Sequence, residues 1–221
     1  MRPVAALYVE ARGAYYGLDN VDPWDAQRDA RLYAGPHPVV AHPPCERWGK
    51  FATGNFTKPN TAVLGDDGGC FAAALASVRR WGGVIEHPAG SRAWPAHGLV
   101  APPVDGGWVS AGDLVGWTCR VEQGHYGHAA AKATWLYAAH VDLPEMPRGT
   151  SPKWWRDDPT RSERWKARAE KDGVCVLLSQ KQRAATPPAF REMLLSIART
   201  SRVVAAAPPA PLPLLVIGGA Q

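Results

Sequence analysis

The sequence predicts an α/β fold, a single sheet whose strands alternate with covering helices. Short apolar runs recur at "VAALYV" (4–9), "PVVA" (38–41) and "GVIE" (83–86), each the length of a buried strand. Between them lies helical pattern, clearest in the Ala-rich "GGCFAAALASVRRWGG" (68–83). The chain of 221 residues is 46% apolar, enough for one sizeable core. Strands alternating with helices favour a largely parallel sheet.

In chain order, "VAALYVEARG" reads as a first strand running into a turn at Gly13. "DPWDAQRDARLYAG" (22–35) predicts a helix, with Asp22 at its start, Pro23 at its first position, Gly35 at its end and Pro36 beyond. "PVVAH" is a buried strand that Pro43-Pro44 must stop, since proline donates no ladder hydrogen bond. Residues 49–67 are polar and Gly-rich and predict a loop. The Ala-rich helix closes at Gly82-Gly83, and "GVIEH" follows as a strand stopped by Pro88. Residues 89–116 predict irregular structure. "GWTCRVEQ" and "KATWLYAA" are strand-like and are split by the turn "GHYGH". "TPPAFREMLLSIARTS" predicts a helix capped by Thr186 and opened by Pro187 and Pro188, with Phe190, Leu194, Leu195 and Ile197 as its apolar stripe. The expected organisation is an α/β domain over 1–140 with 183–203 packing back on it. A small basic segment at 141–182 and a Pro/Ala-rich tail at 204–221 complete it.

No run of about 18 apolar residues is present, so no membrane span is expected. The apolar run at the N-terminus is too short for a secretory signal, and a soluble, cytoplasmic protein is expected. The four cysteines (Cys45, Cys70, Cys119 and Cys175) are scattered with no C-x-x-C pair and read as free thiols, with Cys70 in the core. Cys119, His125 and His128 have zinc-like chemistry, but no second ligand pair accompanies them, and no metal is expected. The net charge is +5 and the pI about 9.2. Residues 148–171 hold eight Lys or Arg against four acids, interleaved with Trp154, Trp155 and Trp165. Basic side chains beside aromatic faces suit phosphates and unstacked bases. A solvated face anchored by its tryptophans is the competing reading.

Ligands of open α/β sheets bind outside the carboxyl ends of the strands. Cys45, Glu86 and Gln123 all fall at or just past such ends. A cysteine at a strand end is, by itself, most often a small packed residue. Order and spacing are what lift it.

That order resembles the DNA cytosine-5 methyltransferases. Their nucleophile follows a strand in a Pro-Pro-Cys or Pro-Cys loop, matched here by Pro43, Pro44 and Cys45. Their Glu-Asn strand end is matched by "VIEHP", with Glu86 lying 41 residues beyond Cys45 and His87 in place of the Asn. "YGHAAAKATWLY" is similar to their Tyr-Gly or Phe-Gly step and the basic residue entering a strand, giving Tyr126, Gly127 and Lys132, with Thr134 where a second arginine is usual. "RAATPPAFREMLL" resembles their Arg-x-x-Thr-Pro helix. "LYVEARGAYYGLD" lies along their glycine-rich cofactor loop, with Glu10 and Arg12 where glycines are expected, and "DPWD" resembles their ribose-holding element. Some twenty residues separate Trp24 from Cys45, which leaves out the strand that usually reads the adenine. The resemblance covers 5–140 and 183–199 and is that of a short phage-type member, which would work in the host cytoplasm.

The resemblance implies a shortened, Rossmann-like class I methyltransferase-type sheet with a small basic recognition insertion. It implies S-adenosyl-L-methionine as cofactor, with Tyr8, Gly13, Gly17, Asp22 and Trp24 around it. DNA would be the partner, met by Arg47, Gln123, Lys153, Arg156, Arg161 and Arg164. The catalytic set would be Cys45, Glu86 and Lys132. Carbon 5 of cytosine becomes nucleophilic once a thiolate adds at carbon 6, so the loop is expected to lower the Cys45 pKa, with Arg47 or His42 as a source of charge. Glu86 would bond the ring nitrogen and exocyclic amine, and the base would be flipped out of the duplex. Three other readings stand beside this one. They are an inactive DNA-binding protein on the same fold, a pyrimidine-modifying enzyme with another donor, and a cysteine hydrolase pairing Cys45 with His87 or His42.

Overall fold

The computed structural model describes residues 1–49, 52 and 63–203. They form a mixed α/β structure around a seven-stranded sheet. The strands are β1 (Val4–Leu7), β2 (Val21–Trp24), β3 (Val39–Ala41), β4 (Gly83–Pro88), β5 (Val109–Ser110), β6 (Gly116–Glu122) and β7 (Ala133–Ala139). Their order is β2-β1-β3-β4-β7-β6-β5. Pairings from β2 through β4 are parallel, and those of β7 with β4 and β6, and of β5 with β6, are antiparallel. The helices are α1 (Cys70–Trp81), α2 (Ala93–Ala96), α3 (Glu163–Asp172), α4 (Val174–Leu177), α5 (Gln180–Ala184) and α6 (Pro188–Arg199). No described helix is long and apolar enough to cross a membrane.

Strand alternation divides the core into two layers. Ala5, Leu7, Val39, Ala41, Ile85 and Tyr137 face α1, which buries Phe71, Ala74, Leu75 and Val78 against them. Val4, Ala6, Val40, Val84, Leu136 and Ala138 face α6, which buries Phe190, Leu194, Leu195 and Ile197. The Val, Leu, Ile and Phe side chains among these each contribute roughly 1.5–3 kcal/mol on burial. The turn from α1 into β4 needs glycine. Gly83 has φ 135°, and a Cβ there would lie 1.9 Å from the Val39 carbonyl oxygen. β3 and β4 lie side by side in register Ala41↔Ile85, so the chain leaves both strands at one level.

Several expected elements take another form. Residues 22–35 are not a helix. Val21–Trp24 pairs with β1 as an edge strand, which tolerates Pro23, and only Ala30–Leu32 makes a 3-10 turn after Asp29 at φ 48°. Sheet pairing of the apolar edge outweighs the helical start signals. Among the described residues no further strand lies between β2 and β3, as the short spacing implies. Thr186 does not cap α6; the cap position is Pro187 and the helix opens on Pro188 without a side-chain cap. The 89–116 stretch contains α2 and β5, and the "GHYGH" turn begins as a 3-10 helix at Gln123–Tyr126. Cys70 is half-buried at the first position of α1 rather than in the core. The basic segment carries a 3-10 turn at Trp154–Arg156, then α3 and α4. Most of the 49–67 loop and the tail from 204 lie outside the described residues.

Candidate active site at the carboxyl ends of β3 and β4

Alternation builds this site. Val40 faces α6, so His42, two residues on, lies on the same side; Val84 places Glu86 there too. Adjacent registers bring the two side chains together. His42 Nδ1 meets Glu86 Oε2 at 2.9 Å, and Tyr15 Oη meets His42 Nε2 at 2.7 Å. On the other side Gln123, just past β6, donates from Nε2 to Glu86 Oε1 (3.1 Å) and to Thr134 Oγ1 (3.0 Å). Both oxygens of Glu86 are therefore held, and its side chain is only 12% exposed. Burial works to raise its pKa, but the His42 hydrogen bond and the nearby His42, Lys132 and His87 charges outweigh it, and the carboxyl stands below its ordinary value.

Cys45 follows β3 through Pro43, which is buried, and Pro44, which is exposed. A turn from Cys45 to Trp48 (Trp48 N–H to the Cys45 carbonyl, 3.0 Å) is fastened by Trp48, buried and donating from Nε1 to Asp67 Oδ2 at 2.8 Å. As a residue Cys45 is exposed on an anchored turn, while its thiol is partly desolvated. Its pKa is raised, first by desolvation at the packed mouth of the sheet and then by the Glu86 charge; Lys132 works the other way and does not win. The expected activation of the resting thiol is thus corrected: desolvation first, and the neighbouring carboxylate second, hold the proton on sulfur. His42 is engaged by Glu86 and Tyr15, and Arg47 does not offset the carboxylate.

Lys132 joins the group from the turn before β7, with a left-handed φ of 46°. Its Nζ donates to the Ala184 and Ala185 carbonyls at 2.9 and 2.7 Å. Burial lowers its pKa, although Glu86 and Cys45 pull upward. Cys45, Glu86 and Lys132 therefore share one electrostatic neighbourhood.

His87 lies outside this group, because alternation turns it to the α1 side. It packs edge-on against Phe71 (5.4 Å between centroids) and beside Trp94, and burial pushes its pKa down. Gln123 also departs from expectation. It is fully buried beside Glu86 instead of reaching outward to DNA. Among the described residues no three His, Cys, Asp or Glu side chains are grouped to hold a metal; His125 and His128 bond to backbone carbonyls instead.

The parallel half of the sheet reverses its winding between β1 and β3, the usual place for a nucleotide-type ligand. Tyr8 directly follows β1 in a left-handed conformation (φ 60°), and its buried hydroxyl has no hydrogen-bond partner. Burial pushes its pKa up, so it stays a neutral phenol. Asp22 on β2 accepts from Trp24 Nε1 (2.8 Å) and from Arg28 (2.5 Å), whose guanidinium lies 4.0 Å over the Trp24 ring. The Asp22 carboxylate on the edge strand fits a ligand carrying a sugar diol, with Arg28 giving up its contact, whereas the unsatisfied Tyr8 phenol lies among the Asp29, Asp67 and Cys70 groups. Gly17 stands in open space; Gly13 is closed in, a Cβ there meeting the Glu10 carbonyl oxygen at 2.8 Å. Glu10 and Arg12 provide no glycine cradle.

The basic segment docks beside Gln123. Trp154 Nε1 donates to the Gly124 carbonyl and the Ser151 N–H to Glu122 Oε2. Gly127, Ala129, Trp154, Trp155, Asp158 and Arg161 line an open cavity of about 270 Å³. Lys153 and Arg156 both pair with Glu170, and Arg161 pairs with Asp158 while lying 4.6 Å over Trp165. Arg164 is exposed. Of the basic residues expected to meet DNA here, several are thus partly neutralised within the segment.

Residue reading did not find Tyr15, and it took Thr134 only as a lost arginine. The spacing of Val40 and His42 carried the signal for His42 as a partner of Glu86, once β3 and β4 are neighbours. No family model, curated protein or solved structure matches this chain.

Proposed function

We propose that the chain modifies cytosine in DNA, transferring a methyl group from S-adenosyl-L-methionine to carbon 5 through a covalent Cys45 adduct. The observation that carries this reading is that Cys45 and Glu86 follow or end adjacent strands at their carboxyl ends, that Lys132 enters the antiparallel β7 beside the end of β4 and shares their electrostatic neighbourhood, and that Glu86 is held at both oxygens. The methyltransferase-type assignment of the sheet belongs to the same proposal. It is supported by the winding reversal between β1 and β3, with the thiol loop directly after β3.

Cys45 adds to carbon 6 as a thiolate, and the ring takes up a proton at nitrogen 3 as the carbon 5 centre becomes an enamine. Once carbon 5 carries the methyl group, loss of its hydrogen as a proton to solvent breaks the carbon 6–sulfur bond and returns the Cys45 thiolate, and nitrogen 3 gives back its proton. Glu86 faces the reacting ring and moves that proton, its orientation fixed by His42 and Gln123. Because the resting thiol is protonated and Glu86 ionised, the thiol proton has an acceptor within the site. Lys132 brings positive charge to the adduct. Asp22 and Trp24 would hold the adenosine of the cofactor, which when bound supplies an electrophilic methyl group. Arg161 and Arg164 would meet phosphate and Trp154 an unstacked base.

Nucleoside mass spectrometry on plasmid DNA from cells expressing the wild type, beside Cys45→Ala, tests the reading. A 5-methylcytosine peak lost in the variant is expected. A different mass on a pyrimidine, also lost, would replace the donor. Unmodified DNA from folded wild type would leave the inactive binding protein.

A further inference from the structure

We propose that Gln123 selects a cytosine over a uracil or thymine at the Cys45 site, presenting a fixed acceptor to the exocyclic amine of the base. The proposal rests on the pyrimidine-modifying reading above.

Gln123 is fully buried, and its amide has one orientation. Nε2 faces Glu86 Oε1, and an ionised carboxylate only accepts, so the nitrogen must be on that side. Its second proton goes to Thr134 Oγ1, whose own hydroxyl proton goes to the Lys132 carbonyl at 3.1 Å. Both amide protons are committed. Oε1 remains, buried and with no hydrogen-bond partner. An orphan carbonyl in the interior is costly, and such groups call for an explanation. Here the orphan belongs to a side chain hydrogen-bonded to the proposed catalytic carboxylate.

The 4-amino group of cytosine is a donor and matches Oε1. Uracil and thymine carry a carbonyl oxygen there, which would oppose one acceptor with another. Turning the amide over would set Oε1 against the Glu86 carboxylate, so the site does not adapt. Sites built to hydrogen-bond one substrate group reject analogues that lack it, because their own polar atoms are then left unpaired. A preference on the order of 10- to 100-fold is expected from one such contact.

The test is protection of Cys45 from iodoacetamide, read by mass spectrometry of the Cys45 peptide. The probes are single-stranded dC12 and dU12, so neither donor nor target sequence is required. Wild type should be protected by dC12 at about 10- to 100-fold lower concentration than by dU12. Gln123→Met, similar in size but without the acceptor, should bring the two oligonucleotides within about threefold of each other. Gln123→Leu, which also lacks the acceptor, should narrow the ratio too, and it serves if the methionine variant fails to fold. A folded Gln123→Met retaining the wild-type ratio would overturn the proposal. So would equal protection of wild type by both oligonucleotides, while leaving the pyrimidine reading in place. If neither oligonucleotide protects wild type, the pyrimidine reading falls and this proposal falls with it.

Discussion

Cys45 and Glu86 sit in a standing opposition. Glu86 is ionised because the His42 hydrogen bond and the His42, Lys132 and His87 charges outweigh its burial, and that charge helps keep the Cys45 thiol protonated. The thiolate is the nucleophile, so the rate of alkylation reports the ionised fraction. Below the thiol pKa that rate rises about tenfold per pH unit. Iodoacetamide labelling of Cys45 should therefore be slower at neutral pH than that of an ordinary exposed thiol, with its midpoint displaced to higher pH. Removing the charge by Glu86→Gln takes away an upward influence, so the midpoint should move down and neutral-pH labelling should speed up. An unchanged profile in Glu86→Gln would mean that desolvation alone sets the thiol. The sequence named Cys45, Glu86 and Lys132, because their types and spacing are linear facts. It did not show that the carboxylate opposes the thiol, because that depends on which oxygens and charges meet across strands.

α6 gives the clearest case of an element readable in advance. Phe190, Leu194, Leu195 and Ile197 recur at helical spacing, and the structure buries all four against the sheet. Leu194→Ala should cost about 2–5 kcal/mol, measured as a lowered urea midpoint. A loss below 1 kcal/mol would show that the helix is not part of the cooperative core. Residues 22–35 are the contrary case. Asp22, Pro23 and Gly35 are placed as helix signals, yet Val21–Trp24 adds to the edge of β1. A local pattern of caps and breakers cannot register that a parallel neighbour lies within hydrogen-bonding distance. The Thr186 cap failed on a smaller scale, since Pro187 takes the cap position and the helix starts one residue later than a threonine cap requires.

Across the whole molecule, basic charge is concentrated in one segment, but that charge is unevenly available. Lys153 and Arg156 share Glu170, whereas Arg164 is exposed on α3. If the segment meets DNA, each phosphate contact contributes about 0.9 to the slope of log affinity against log salt. Arg164→Ala should reduce that slope by about one such contact, and Lys153→Ala by clearly less. Fluorescence anisotropy of a duplex oligonucleotide at several salt concentrations reads both. Equal effects would mean that Glu170 gives up its partners on binding.

By itself the sequence determined the α/β class, most of the strands, the two principal covering helices, and the order Cys45, Glu86, Lys132 along the chain. These rest on periodicity, residue type and spacing, which are properties of the chain taken in line. The tertiary structure alone decided that His42, Gln123 and Thr134 surround Glu86 while His87 turns away, that Tyr15 stands behind His42, and that 21–24 is a strand. Those outcomes depend on strand order and register. A shift of one residue in β3 or β4 would send His42 or Glu86 to the opposite face of the sheet.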